Sequence, residues 1–225
     1  MNRLDMQTRI LEKLNESTTN PQFWSTSQID EVIQEAQEVL AEESRLIWRS
    51  VTITARPGTS YYQMRGIAAD CMTPYRLSLP DDRIRLRVAS PVQLDAYHLL
   101  WETVTGTPRW WVPIDWQTFA LFPHSIQGGH PIRIDYYAWP PVLLDDNDTP
   151  EFGVADMDAL VIYGVYMGLL KRWDVGRATV LFEKFMRRVN KSRSNTGMDS
   201  EDGRTWQQAQ EPGVPFLQGL DMSYR

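Results

Sequence analysis

Three histidines, one cysteine and a short acidic run are the residues of this chain whose types could build a reactive or metal-holding centre. His124 and His130 share one stretch, but no cysteine or carboxylate stands at ligand spacing from them, and His98 is isolated. Cys71 has no motif around it and reads as a small buried or loop thiol. Being single, it excludes an intramolecular disulfide, so the chain does not depend on an oxidising compartment. Gly128-Gly129 is a turn signal, not a phosphate-binding loop. No Gly-x-Ser-x-Gly elbow occurs. Asp145-Asp146-Asn147-Asp148 has the chemistry to hold a cation. Placed just before a helical stretch, it is more simply a solvated loop where negative charge meets a helix N-terminus. These residues predict no catalytic group, no metal and no cofactor, and they turn attention from chemistry to surfaces.

Four surfaces stand out. Trp110, Trp111 and Trp116 could stack sugars or bases if exposed, the mark of a carbohydrate-binding module. In a strand, one of the adjacent pair must face inward, so core or subunit contact is preferred. The net charge of −6 (23 Lys and Arg against 29 Asp and Glu) argues against the whole surface gripping phosphates. Yet Arg177, Lys184, Arg187, Arg188, Lys191 and Arg193 make the last predicted helix a local basic strip. That strip is a solvated face, a subunit contact or a DNA-channel contact; a DNA-binding packaging factor would use it too. Glu31, Glu35, Glu38 and Glu42, with Asp30 and Glu43, form an acidic outer face on an earlier helix. Opposite charges on two faces of one chain suit a head-to-tail ring of copies, where two different surfaces meet. Finally, the polar stretch from Ser194 carries spaced apolar anchors, Trp206, Val214, Phe216, Leu217 and Leu220. They are too sparse for a core and fit a groove on a partner.

The periodicity says what must position these surfaces. A first helix is predicted over 3–16, closed by Asn20-Pro21. A second runs from Ser27, as N-cap, to Arg49, with Ile29, Val32, Ile33, Ala36, Val39, Leu40 and Ile47 on its buried face. Alternation then predicts a hairpin over 50–65 about Pro57-Gly58, a loop over 66–82 and a strand over 84–90. A short helix near Leu94–Trp101, paired strands at 109–113 and 117–122, and a strand over 131–138 follow. A broadly apolar helix over 154–173 belongs centrally in the core, its Gly164 and Gly168 allowing close approach of another backbone. The last helix spans 175–191, with Ala178, Leu181, Phe182, Phe185 and Val189 inward. The fold class is α+β, mainly helical. Residues 1–49 and 150–193 make a helical bundle core, 50–149 an inserted small antiparallel β unit, and 194–225 an extended C-terminal tail. The charged start has no apolar run of a signal peptide, and no uncharged stretch approaches the roughly 20 residues of a membrane span. Synthesis in the cytoplasm is expected.

The order of these pieces resembles the head-to-tail adaptor, or connector, proteins of tailed bacteriophages. The resemblance covers residues 25–175. It rests on the Ile29–Leu40 stripe, Pro57-Gly58-Thr59-Ser60-Tyr61, Gly106-Thr107-Pro108-Arg109 and Leu121-Phe122-Pro123. Ile134-Asp135-Tyr136-Tyr137 with Pro140, then Asp145-Asp146 ahead of Asp158-Ala159-Leu160-Val161-Ile162-Tyr163, complete it. The long 66–82 stretch and the long tail depart from the pattern. The resemblance implies a structural virion protein of the neck, without catalysis or cofactor, forming a dodecameric homo-oligomer ring beneath the portal protein. The tail would dock on the portal, tail or nozzle proteins would attach, and duplex DNA would pass through the channel without sequence specificity. The alternative is another neck or tail structural protein of tail-tube or stopper kind.

Overall fold

The structure is a computed structural model that describes residues 1–126 and 128–195. The described chain divides into two compact units. One contains Met1–Ile47 and residues 138–195; the other is Trp48–Tyr137.

The first unit is helical. α1 (Arg3–Lys13) starts in a capping box: Asn2 accepts from the Asp5 N–H at 2.8 Å while Asp5 accepts from the Asn2 N–H at 3.3 Å. α2 (Thr26–Ser44) starts the same way from Ser25 and Gln28, so the N-cap is Ser25 and not the expected Ser27. α2 also stops short of Arg49. Arg45 adopts the left-handed conformation (φ 51°), and its N–H still closes on the Ala41 carbonyl at 2.8 Å. Ile47 stays buried in the connection that follows.

Two further helices, α4 (Val154–Lys171) and α5 (Val175–Asn195), complete the unit, α3 (Pro91–Tyr97) lying in the other one. α4 packs against α1, α2 and α5. That is why Ala159, Leu160, Val161, Ile162, Tyr163 and Val165 are buried on several sides rather than along one stripe. Gly164 and Gly168 admit side chains, not a backbone. A Cβ on Gly164 would collide with Ile10, and one on Gly168 would lie 2.5 Å from Leu14 Cδ1. α1 therefore seats Ile10 and Leu14, four apart, on two bare turns of α4. Arg172 then binds the Leu14 carbonyl at 2.6 Å and the Glu16 carboxylate, pinning the end of α4 to the end of α1.

The second unit holds two four-stranded sheets. One is ordered β1 (Trp48–Thr54), β8 (Pro131–Ala138, whose last residue belongs to the first unit), β3 (Cys71–Leu79) and β4 (Ile84–Arg85). The other is ordered β2 (Tyr61–Gln63), β7 (Thr118–Phe122), β6 (Trp110–Pro113) and β5 (Arg87–Val88). The chain joins them at both margins: β1 leads to β2 through the Pro57-Gly58 turn, and β4 runs into β5 through Leu86. Leu86 donates back to the Leu77 carbonyl at 2.9 Å. The short helix α3 (Pro91–Tyr97), capped by Ser90 and Gln93, and a 3-10 turn at Trp101–Thr103 lie against the second sheet.

Several expectations need correction here. Residues 50–65 are not a hairpin: Val51 pairs with Ile134, whereas Tyr62 pairs with Phe119 in the other sheet. Residues 66–82 are not a loop, since they contain the nine-residue β3. The pair β5–β6 is parallel, so the β unit is not wholly antiparallel. Two sheets of this size make the chain α+β, which is less than the mainly helical chain expected. The expected strands at 109–113, 117–122 and 131–138 are present, with Trp111 opposite Leu121 and Ile132 opposite Ile53. Neither member of the Trp110-Trp111 pair is exposed. One face of the second sheet buries Trp111 and Phe119. The other buries Trp110, Val112, Ala120 and Phe122 against Leu94 and Trp101.

Candidate partner-docking surfaces

Among the described residues, no group of three or more His, Cys, Asp or Glu could hold a metal ion, and no helix is long and apolar enough to cross a membrane. The Cys71 thiol is buried and pushed up to about 12 by that burial and by Asp70, so it is a poor nucleophile at neutral pH. His124 is buried beside the Thr105 bridge, apart from any such cluster. The chemically informative features are charged surfaces.

The acidic face lies on α2. Glu31, Glu35, Glu38 and Glu42 are all exposed. Glu35 is fixed by the Tyr163 hydroxyl, which donates to it at 2.8 Å. Burial, then that carboxylate, holds the Tyr163 phenol above its ordinary range. Glu38 accepts from Gln34 at 2.9 Å. Asp30 does not join the outer face: it turns toward α1, where Gln7 donates to it and Arg3 Nε lies 3.8 Å away.

The basic strip lies on α5, partly neutralised within the chain. Arg177 pairs with Asp174 at 3.6 Å and Arg187 with Glu183 at 3.6 Å. Arg188 donates to the Ala155 carbonyl at 2.9 Å and reaches Asp158 at 3.4 Å. Lys184, Lys191 and Arg193 are exposed. Of the expected inward residues, Ala178, Phe185 and Val189 are buried, while Phe182 sits half-exposed among Tyr166 and Phe185. The anchors Trp206, Val214, Phe216, Leu217 and Leu220 lie outside the described residues.

A further feature escaped the reading of the sequence. A cleft of about 630 Å³ in the second unit is lined by Arg85, Arg87 and Arg109 over Tyr97, Trp110 and Phe122. Its signal is the alternation Arg85-Leu86-Arg87, which puts both guanidiniums on one side of an extended chain.

Fold and surfaces together define a two-unit α+β protein with contrasting charged faces on its helices. The chain belongs to the SU10 adaptor protein family, a family of phage head-to-tail adaptors, whose model matches residues 1–212. The matched stretch contains both units and runs on through Trp206. No curated protein matches the sequence.

Proposed function

We propose that this protein is a head-to-tail adaptor that assembles as a ring below the portal, extends the DNA channel and joins capsid to tail in the virion neck. The observation that carries the reading is the family match across residues 1–212. The helical unit is the ring body. The acidic α2 face (Glu31, Glu35, Glu38, Glu42) meets the α5 strip of the next copy (Arg177, Lys184, Arg187, Arg188, Lys191, Arg193), or that strip faces the phosphates of passing DNA. The sheet unit is the appendage inserted into that body. The tail from Ser194 docks on the portal through Trp206, Val214, Phe216, Leu217 and Leu220. In this role the chain is a scaffold, dodecameric when assembled, whose function is contact rather than catalysis.

Native mass measurement of the protein alone and mixed with its portal tests the reading. A joint complex of defined stoichiometry is expected, and monomers in isolation are compatible with it because ring contacts form by mass action on the portal. A chain that never joins the portal at any concentration overturns it.

A further inference from the structure

The margins of the two sheets are not alike. β2 has three residues and β4 and β5 have two each, so those margins offer little backbone to another chain. β1 is also a margin, beside β8, and runs for seven residues. Its pairing is one-to-one from Trp48 opposite Tyr137 to Thr54 opposite Pro131, so no bulge twists it away. It contains no proline and no lysine, and its one charge, Arg49, is bound to Asp70 at 2.6 Å. Hydrogen-bond parity says which backbone groups face outward. The Ala55 N–H donates to the His130 carbonyl at 2.8 Å, and the Ala138 N–H to the Ile47 carbonyl at 2.9 Å. The odd-numbered residues of β1 therefore bond to β8, while Trp48, Ser50, Thr52 and Thr54 turn their N–H and carbonyl groups away from it. All four residues are exposed, and among the described residues no backbone group pairs with them on that side. Such a row is a template for one more strand.

We propose that the strand filling this edge is β1 of a second copy, antiparallel and centred on Val51, before the protein enters any larger assembly. The strand complements itself. Centring on Val51 overlaps its whole length and sets Ser50 opposite Thr52 of the second copy and Trp48 opposite its Thr54. In that register each outward residue meets an outward residue, so both its N–H and its carbonyl find partners. Between them, Val51 meets Val51 and Arg49 meets Ile53. Hydroxyl, β-branched and aromatic pairs of this kind favour a sheet, and no like charges stand opposite each other. Parallel pairing in register would set Arg49 beside Arg49. The same patch serves both copies, so the contact closes at two and cannot join successive members of a head-to-tail ring. It uses neither the α2 nor the α5 face and does not depend on the ring. Its effect is to cover an edge that would otherwise recruit unrelated strands.

Sedimentation equilibrium of the full chain without portal, over a concentration series, tests the pairing. A reversible monomer–dimer equilibrium is expected. Ser50→Pro removes an outward N–H and leaves the β1–β8 ladder whole, so it should weaken the dimer at least about tenfold while the circular dichroism spectrum is kept. Two charge variants read the register. Ser50→Lys/Thr52→Lys opposes like charges across the contact and should dissociate the dimer. Ser50→Lys/Thr52→Glu changes the same positions but sets Lys against Glu, and should keep it. Lys184→Glu/Lys191→Glu should dimerise as the unaltered chain does. A chain that stays monomeric throughout the series overturns the proposal, and so does a dimer indifferent to both Ser50→Pro and the double lysine change. A dimer lost on changing Lys184 and Lys191 would place the contact on the helices and overturn it too. A monomer whose portal binding is abolished by Ser50→Pro would give the edge to a strand of the portal, against self-pairing. Monomers here leave the ring reading untouched, and failure to join the portal leaves a dimer on β1 standing.

Discussion

At the scale of single residues, the strongest electrostatic commitments lie in the sheet unit. Asp135 is wholly buried on β8, yet it accepts from Arg76 Nε at 2.6 Å and from Arg133 Nε at 2.9 Å. A carboxylate out of water needs such partners, and removing it takes a charged partner from each of two guanidiniums. Both arginines are about two-fifths exposed (39% and 44%), so water takes up part of the loss. Asp135→Ala should therefore destabilise the chain by about 1–3 kcal/mol, below the 3–5 of a fully buried pair, as read from urea unfolding. A loss under about 0.3 kcal/mol would show that the network is ornamental. The phenols give a pH test. Tyr61 is pushed up to about 12 by burial and Glu102, and Tyr136 to about 12 by burial and Asp70. A raised phenol binds its proton more tightly folded than unfolded. Its stabilisation is complete below the ordinary value of 10.0 and is lost as pH rises through about 12. Stability should fall across that window, and a phenolate absorbance titration should show a late component that shrinks in Tyr136→Phe. A single titration centred at the ordinary value would contradict the burial of Tyr136, which is 5% exposed.

At the scale of elements, the seating of α1 on α4 is the contact most open to test. Ile10 and Leu14 are buried to within 2% and have nowhere to retreat. Gly168→Ala gains about 1 kcal/mol of helix propensity but drives a methyl into Leu14, an overpacking of about 1–3 kcal/mol. Net destabilisation is expected in thermal unfolding, with partial rescue by Leu14→Ala in the same chain. Stabilisation by Gly168→Ala alone would mean that α1 stands off α4. The sequence announced these helices because long apolar stripes and Ser/Asn caps are local signals. Even so, the stripe overruns the end of α2: Ile47 follows Leu40 by seven and continues the apolar spacing after the backbone has turned at Arg45. β3 was invisible for another reason. Its buried positions, Cys71, Pro74, Leu77 and Leu79, do not alternate by two, and Pro74 argues against a strand. Pro57-Gly58 marked a turn correctly. A turn cannot say whether its flanking strands pair with each other, and here they pair with β8 and β7, more than fifty residues away in sequence.

At the scale of the whole molecule, the surfaces were half legible. Composition placed opposite charges on α2 and α5, because runs of Glu or Lys and Arg on one helix face are visible at helical spacing. It could not reveal that α4, α5 and the turn between them neutralise part of the strip through Asp158, Glu183 and Asp174. Nor did hydrophobic patterning find the arginine cleft, whose members come from three separate stretches. What remains of the strip sharpens the ring hypothesis. Lys184 and Lys191 are exposed seven residues apart, two turns along α5, and Glu31 and Glu38 are exposed with the same spacing on α2. Antiparallel or parallel apposition of the two faces can match both pairs at once. Each exposed pair contributes about 0.2–1 kcal/mol, so two pairs amount to about a 2- to 30-fold change in affinity per interface. Lys184→Glu/Lys191→Glu should lower the occupancy of the ring on the portal, measured by native mass, and the deficit should shrink in high salt as the repulsion is screened. Glu31→Lys/Glu38→Lys should weaken assembly by itself and restore it when mixed with the α5 variant, since alternating copies regain complementary faces. If the reversed pair assembles no better than either variant alone, the two faces do not meet, and the exposed lysines are left facing DNA or solvent.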